Sequence, residues 1–437
     1  MSLVRRSVAV FCAKAILLVL IVGALHPRCA AQRTPDISGA WEASGGYHFL
    51  AKTHLWITMQ MAGPPKAVLY AAYDNPQPGL VTSALLRGST FTFSVEPLHL
   101  SYTGTLSADG DTLTGSCTVE NQSHALNFRR SIDTQPITIH GLERMLVAVA
   151  GKPDAQVAAQ IHGTRLTERI STTRLTRLEA NIPRPEARQA LIALADSSAF
   201  LDPPDDEIPF MENPDSTTQN KMLALAKDFV ARTIPRWPNF TATRTTTTYQ
   251  RDLLYKEWWH AVGLSHALVS YRDGQETQRS SEFEVDPGLS TRGEFGPILS
   301  AVMLDITKDN FAWGRWEHGE KGPLAVFRYR AEADHSHYEV ENSLSGYVGE
   351  ITIDPADGSI VRLALKADME PANPFLMADV MIEYGPEVLG DKTYICPIRG
   401  VALSQGLRQQ WVNNVVFTSY HLFHATTRIL TGAKPTE

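Results

Sequence analysis

The residues with the clearest chemical potential lie at positions 335–341, where the sequence reads His-Ser-His-Tyr-Glu-Val-Glu. If this segment is a β-strand, His335, His337 and Glu339 share one face, with successive same-face residues about 7 Å apart. Imidazole and carboxylate groups are ligands of first-row metals, so these three side chains could hold a zinc ion. The same alternation is also typical of a solvated strand face whose other residues pack in the core. The sequence leaves both interpretations open.

Two pairs of tryptophans could form a ligand-binding surface. Trp258 and Trp259 are adjacent, and Trp313 and Trp316 are separated by two residues. Large aromatic side chains that line a curved sheet can bind acyl chains, glycans or peptides. Tryptophans are also common core residues, so either pair could instead stabilise the fold.

The sequence lacks the motifs of the common enzyme classes. It contains no His-Glu-x-x-His, Gly-x-Ser-x-Gly, Ser-x-x-Lys or Cys-x-x-Cys motif, no phosphate-binding loop and no dinucleotide fingerprint. The segment 263–267 resembles a nucleophile elbow but lacks its second glycine. We therefore assign no catalytic residue and no cofactor, and keep a hydrolase of unfamiliar type as an alternative to a binding protein.

The N-terminal residues predict export. Arg5, Arg6 and Lys14 precede or border the apolar run 15–25, and the small residues Ala30 and Ala31 follow it. This order is that of a secretory signal peptide, and the apolar run is shorter than the ~20 residues that span a bilayer. We expect cleavage after Ala31, which gives a secreted or periplasmic protein without an integral membrane span. An uncleaved anchor helix is the alternative.

The charge and the cysteine content exclude several classes of function. The 437-residue chain has a formal net charge of −7, and removal of a basic signal makes it more negative. An acidic chain favours neither nucleic acid nor anionic lipid as a partner. After the signal only Cys117 and Cys396 remain, so this is no disulfide scaffold, and two free thiols are favoured over one long-range disulfide.

Short alternating segments predict a small antiparallel β-barrel over residues 35–131. Near its start, Gly39-Ala40-Trp41 resembles the first-strand signature of lipocalin-like and avidin-like barrels. The resemblance implies that the tryptophan closes one end of the barrel, which makes Gly39 and Trp41 structural residues.

The rest of the chain divides into three segments. Apolar residues spaced three and four apart predict short helices over 136–200. Residues 201–215 are rich in proline and acid and indicate an exposed connector. Residues 216–432 begin with a helix and continue in long hairpins, which predict a curved antiparallel sheet, or half-barrel, packed on helices. The expected fold is therefore a multidomain α+β protein.

Two resemblances to known proteins accompany these patterns. The first is carried by segments 166–171, 193–201, 383–386, 394–397 and 420–423. Through these segments the mature chain resembles a family of uncharacterised secreted proteins from soil bacteria, which has no function to transfer. Separately, residues 349–355 and the hairpin that follows resemble a hairpin of periplasmic lipoprotein carriers and anti-sigma-partner proteins. Those are half-barrels whose concave face holds acyl chains, so this resemblance implies a hydrophobic ligand.

These observations predict a non-catalytic protein that binds a hydrophobic or polymeric ligand or another envelope protein. The partners that fit are lipid, glycan or an envelope protein. The alternatives are the unfamiliar hydrolase and an envelope scaffold that binds no small ligand.

Overall fold

The computed structural model describes most of the chain after the predicted signal peptide, which lies outside the described residues. All structure reported below belongs to the compact unit Ile37–Glu437. None of the helices in this described part is both long and apolar enough to cross a membrane. The described residues are 35–43, 53–59, 64–70, 78–131, 136–182, 184–253, 258–280, 287–369 and 373–423.

The first sheet is an antiparallel meander that nearly closes into a barrel. Most strands pair with the next strand in sequence. Among the described strands, β9 pairs only with β8, and β10 pairs with both β8 and β1. On the other side β4 pairs with β3, whereas β5, three residues later, pairs with β6. Segment 78–87 therefore joins the two edges. The strands are β1 (Gly39–Ala43), β2 (His54–Thr58), β3 (Lys66–Tyr70), β4 (Pro78–Leu80), β5 (Ser83–Arg87), β6 (Thr90–Val95), β7 (Leu100–Leu106), β8 (Thr112–Val119), β9 (Gln122–Ala125) and β10 (Phe128–Arg130).

Alternate side chains of these strands fill the barrel. In β7 every second residue is buried, as a strand with one wet face requires. Phe93 and Tyr102 stack with ring centroids 5.0 Å apart, and Phe128 meets Tyr102 edge-on at 5.3 Å. Cys117 lies in this core as a free thiol, and Cys396 is a free, buried thiol in the second sheet. The predicted small barrel is confirmed as a barrel-like sheet.

Four short helices follow, with the caps that the sequence indicates. The hydroxyl of Ser171 accepts a hydrogen bond from the backbone N–H of Arg174, and Pro185 occupies the first turn of its helix. Their buried faces form one apolar cluster that includes Leu142, Ile161 and Leu191. The helices are α1 (Ile139–Val149), α2 (Asp154–His162), α3 (Thr172–Ala180) and α4 (Pro185–Ser197).

The third region contains a long antiparallel sheet and two helices. The turn Asp273–Gly274 has both residues at positive φ and joins the second and third strands of this sheet. The last strand ends at Leu422, and residues 424–432 of the predicted domain lie outside the described part. The elements are α5 (Ser216–Thr233), β11 (Phe240–Asp252), β12 (His260–Arg272), β13 (Gln275–Ser280), α6 (Pro297–Asp305), β14 (Phe311–His318), β15 (Pro323–Ala331), β16 (Glu339–Val340), β17 (Ser343–Leu344), β18 (Tyr347–Ile353), β19 (Ile360–Ala367), β20 (Met377–Leu389), β21 (Lys392–Gln405) and β22 (Gln409–Leu422).

Helices cover both faces of this second sheet. The strand order is β13-β12-β11-β22-β21-β20-β19-β18-β15-β14. Residues of α5 and α6 pack with Phe327, Ile351 and Leu365 on one face. Ala193, near the end of α4, packs with Met381 on the other face. The curved sheet is therefore the middle layer of an α+β arrangement, which confirms the predicted fold class.

A buried ion pair anchors α4 to the sheet. The carboxylate of Asp196 is fully buried and binds the Arg399 guanidinium of β21. Its second oxygen accepts a hydrogen bond of 2.8 Å from the side chain of Asn414 in β22. Arg399 also donates to the hydroxyl of Thr172 at 2.8 Å. The helical region is thus held to the sheet by charge as well as by apolar contact.

A second buried acid makes stability depend on pH. Asp379 is 6% exposed, and burial, opposed by Lys366, raises its pKa from 3.8 to about 6. Between these values the folded protein binds a proton that the unfolded chain has lost. The stabilisation is therefore fully present below about pH 4 and is lost as the pH rises through 6.

We expect Asp379→Asn, which mimics the protonated side chain, to change the free energy of unfolding little at pH 4. At pH 8 it should raise that free energy by up to about 3 kcal/mol, because the variant has no charge to bury. Urea unfolding of both proteins at the two pH values measures the difference. An equal effect of the substitution at both pH values would contradict the prediction.

Candidate functional site

A cleft of about 310 Å³ opens where helices α2 and α4 meet strands β11 and β12. This volume is at the lower end of the range for small-molecule sites. It fits one ring system or the end of a chain. Twelve residues line the cleft: Ala155, Ala158, Ala159, His162, Glu186, Gln189, Ala190, Tyr249, Trp258, Trp259, His260 and Ala261.

Small side chains on the two helices make room for this cleft. Ala155, Ala158 and Ala159 come from α2, and Ala190 comes from α4. A larger residue at these positions would occupy the space between helix and sheet. Alanine also has the highest helix propensity, so these helices can hold this space open without loss of helical stability.

Trp258 and Trp259 form the aromatic wall of the cleft, so the predicted ligand-binding pair lies in a concave site. Trp258 keeps 48% of its surface exposed, which is unusual for so large an apolar side chain. The ring of Trp259 is half-buried and stacks on the Arg251 guanidinium, whose carbon lies 4.7 Å from the ring centroid. The exposed indole is available for contact, and the stacked indole is held in place.

Polar side chains supply hydrogen-bonding groups on the facing walls. His162 and His260 line the cleft together with Glu186 and Gln189. Burial, and then the charge of His260, lower the pKa of His162, so its imidazole is neutral at pH 7. The Nδ1 atom of His260 donates to the Trp258 carbonyl oxygen at 3.1 Å, which leaves Nε2 as the acceptor in the neutral ring.

An exposed apolar stripe runs along β12 from the same end of the strand. Val262, Leu264 and Leu268 alternate with less exposed residues and are 41%, 59% and 48% exposed. The pairing of β12 with β11 shifts by one residue between Thr248 and Tyr249, so Leu264 and Leu268 share the face of Ala261 and Tyr249, which line the cleft. A polymeric or elongated ligand that enters the cleft could continue along this stripe.

Sequence reasoning identified the tryptophans of the cleft but missed its polar residues. His162 and Glu186 lie on different helices, and His260 is on a strand almost a hundred residues beyond His162. No local spacing could reveal such a group. The adjacency of His260 to the predicted Trp258–Trp259 pair was the one available signal.

Trp313 and Trp316 lie elsewhere, in the core beneath the predicted connector. Trp316 is 8% exposed, and its indole N–H donates to the Glu212 carbonyl oxygen at 2.9 Å. The indole N–H of Trp313 donates to the Asn213 side chain at 3.0 Å. The connector therefore covers both rings, and they do not contribute to the cleft.

The prediction of a β-strand at residues 335–341 is wrong for most of this segment. His335 ends a short 3₁₀ turn, and only Glu339–Val340 form a strand, because Glu341 and Asn342 at positive φ turn the chain back. Tyr338 and Val340 are nevertheless buried. Within the described residues, no three His, Cys, Asp or Glu side chains are arranged to hold a metal ion. His335, His337 and Glu339 therefore do not assemble a metal site there.

His337 instead contacts a buried carboxylate. Its Nδ1 atom hydrogen-bonds to Asp305, whose side chain also accepts from the Tyr347 hydroxyl at 2.6 Å and from the His337 backbone N–H at 3.0 Å. Such a pair orients an imidazole as in acid–base catalysis. Across the described residues, no hydrogen-bond partner contacts Nε2, where a nucleophile would lie.

Comparison with known proteins identifies no family for this chain. No protein-family model and no curated protein matches the chain. Among solved structures it is similar to an outer-membrane lipoprotein-sorting protein domain from Vibrio parahaemolyticus, with 11% identity, 49% of this chain and 94% of that chain covered, and a TM-score of 0.22. It is also similar to the isotype 1 transferrin binding protein B of serogroup B Neisseria meningitidis, with 10% identity, 86% and 68% covered, and a TM-score of 0.14. Scores this low carry no argument about function.

Proposed function

We propose that this protein is exported and binds, without catalysis, a hydrophobic or polymeric ligand in the cleft between α2, α4 and the sheet. The observation that carries the proposal is the exposed Trp258 beside Trp259 in a concave site. A mostly apolar cleft with a few convergent polar groups is the usual form of a ligand site.

The polar groups indicate how the ligand is held. An aromatic platform binds the flat apolar face of a sugar ring or the end of an acyl chain. His162, Glu186, Gln189 and His260 can then donate to or accept from hydroxyl groups at the rim of that ligand. The exposed stripe on β12 offers further apolar contact for a longer molecule.

Trp258→Ala is expected to weaken ligand binding at least about tenfold, since interfacial tryptophans commonly contribute 2 kcal/mol or more. The free energy of unfolding should change by less than about 0.5 kcal/mol because this indole is half exposed. The probes are chitotriose for a ring-containing ligand and sodium decanoate for an acyl chain. Indole N–H resonances of the mature protein, purified from a bacterial periplasm, follow each titration.

The matched control is Phe210→Ala, which removes an exposed aromatic residue of the connector and should leave every titration unchanged. Native mass spectrometry of the same preparation detects a ligand that copurifies. If neither probe shifts an indole resonance and the protein carries no excess mass, the cleft is not a site for these ligand classes. A scaffold role without a small ligand then becomes the better account.

One observation favours a second candidate function. The pair of His337 and Asp305 resembles the base and orienting acid of a hydrolase. A hydrolase of this kind should lose turnover of ester substrates such as p-nitrophenyl acetate in His337→Gln, whose melting temperature should stay close to that of the parent. Equal rates in both proteins would exclude this function for His337.

A further inference from the structure

Arg251 presents a guanidinium group that is held in place and that has no acidic partner among the residues that the structure describes. It lies between two indoles, 4.7 Å from the ring centroid of Trp259 and 5.6 Å from that of Trp56 in the barrel. Its Nε atom donates to the side-chain oxygen of Gln410 at 2.7 Å. These contacts fix the plane of the group and leave its terminal nitrogens to face a further partner.

Arg165 brings a second cation to the same place. Its Nη1 atom lies 3.8 Å from the position that a Cβ would take on Gly39, the first residue of β1. The next residue, Ala40, is paired across β1 and β2 with Trp56, on which Arg251 stacks. Both guanidinium groups therefore lie beside β1 and β2 of the barrel. Burial, and then the charge of Arg165, lower the pKa of Arg251 to about 9.

The exposed Arg165 and the half-buried Arg251 differ from most of the buried arginines among the described residues. Buried Arg362 is an exception, and it donates to the Ala199 carbonyl oxygen. Over the described ranges, neither Arg165 nor Arg251 has a carboxylate within ion-pair distance. A third guanidinium, that of Arg130, lies 3.7 Å from the same Gly39 position, stacks over Trp41 at 4.6 Å and has its own acidic partner, Asp111, at 3.8 Å. By contrast, a carboxylate lies within 4 Å of each of Arg169, Arg174, Arg244, Arg315 and Arg399.

Clustered cations without an acid are unfavourable in a protein unless an anion neutralises them. We propose that Arg165 and Arg251 form a binding site for an oxyanion, namely a carboxylate, sulfate or phosphate group, beside Trp259. The planar fork of donors on a guanidinium matches two oxygens of such a group. The site is separate from the cleft but shares Trp259 with it, so an acidic group of a larger ligand could reach it.

Titration of the mature protein with inorganic phosphate at low ionic strength tests the site, since salt screens exposed charges. We expect a saturable shift of the Trp259 indole N–H resonance. Arg165→Gln should weaken phosphate binding by about tenfold or more, because it removes one of two charged donors. Arg165 is exposed, so the melting temperature without phosphate should not change. Arg87→Gln, which removes an exposed arginine of β5, is the matched control and should bind like the parent.

Two further arms identify the source of the anion and separate this proposal from the function of the cleft. Trp258→Ala should bind phosphate like the parent even if it no longer binds cleft ligands. Trigalacturonate is a short sugar chain whose residues carry carboxylates. It should bind more tightly than its methyl ester if the anion belongs to a cleft ligand. The two compounds should bind equally if the site takes free phosphate alone. No saturable phosphate binding by the parent, or equal binding by Arg165→Gln, would overturn the proposal.

Discussion

Replacing Asp196 with alanine is expected to lower the free energy of unfolding by about 3–5 kcal/mol, because it breaks a buried ion pair and leaves Arg399 only the Glu383 carboxylate, 3.5 Å away. The carboxylate is fully buried and binds the guanidinium of Arg399. Its loss also removes the acceptor of the Asn414 side chain. Urea denaturation followed by tryptophan fluorescence measures the effect.

The matched control for this substitution is Asp228→Ala on α5. Asp228 also pairs with an arginine, Arg232, at 2.5 Å, but both side chains are more than half exposed. Water and salt screen such a pair, so the control should change the free energy of unfolding by less than about 1 kcal/mol. Similar losses in the two variants would show that burial of the Asp196–Arg399 pair is not what anchors α4.

Trp41→Ala is expected to have an effect of the same size, about 3–5 kcal/mol, through loss of the barrel core. Trp41 has no exposed surface, and its indole N–H donates to the Ile37 carbonyl oxygen at 2.9 Å. Arg130 covers its ring at 4.6 Å and donates to the Ser38 carbonyl oxygen at 2.6 Å. This end of the barrel would be left with both a cavity and an uncovered guanidinium.

Amide hydrogen exchange in β1, β2 and β10 measures this loss where it occurs, since the barrel and the second sheet need not unfold together. Trp258→Ala is the comparison, because it removes the same side chain from a half-exposed position. If Trp41→Ala leaves exchange in these strands as slow as Trp258→Ala does, the structural role predicted for Gly39 and Trp41 is wrong.

The sequence by itself determined the elements whose signals are local. The turn at 354–358 is an example. The Asp354 and Asp357 side chains accept hydrogen bonds from the backbone N–H groups of Ala356 and Ser359, and Gly358 takes a φ of +80°. Proline, aspartate and glycine in this order specify such a turn wherever it occurs. The same is true of the Ser171 cap and of the alternation along the barrel strands.

Local sequence signals did not determine how long the β-strand near His337 is. Its alternation of polar and apolar residues indicates a strand, and Tyr338 and Val340 are indeed buried. Residues 336–338 nevertheless belong to no strand. Asp305, at the end of α6, accepts hydrogen bonds from both the ring and the backbone N–H of His337. A carboxylate more than thirty residues away in sequence thus decided the position of this residue.

The roles of the four predicted ligand-binding tryptophans were also decided by tertiary structure. Trp258 and Trp316 look alike in sequence, because each has a second tryptophan nearby and lies in or next to a strand. The connector covers Trp316 and satisfies its indole N–H, whereas alanines on α2 and α4 leave Trp258 at an open cleft.

Sequence periodicity shows which face of an element is apolar, and local turn chemistry shows where the element ends. Neither shows which distant segment will cover that face. The barrel strands, the helices and the α+β class were therefore predictable here. The cleft, the arginine pair and the buried ion pair depend on contacts between residues far apart in the chain, and those contacts form only when the layers pack.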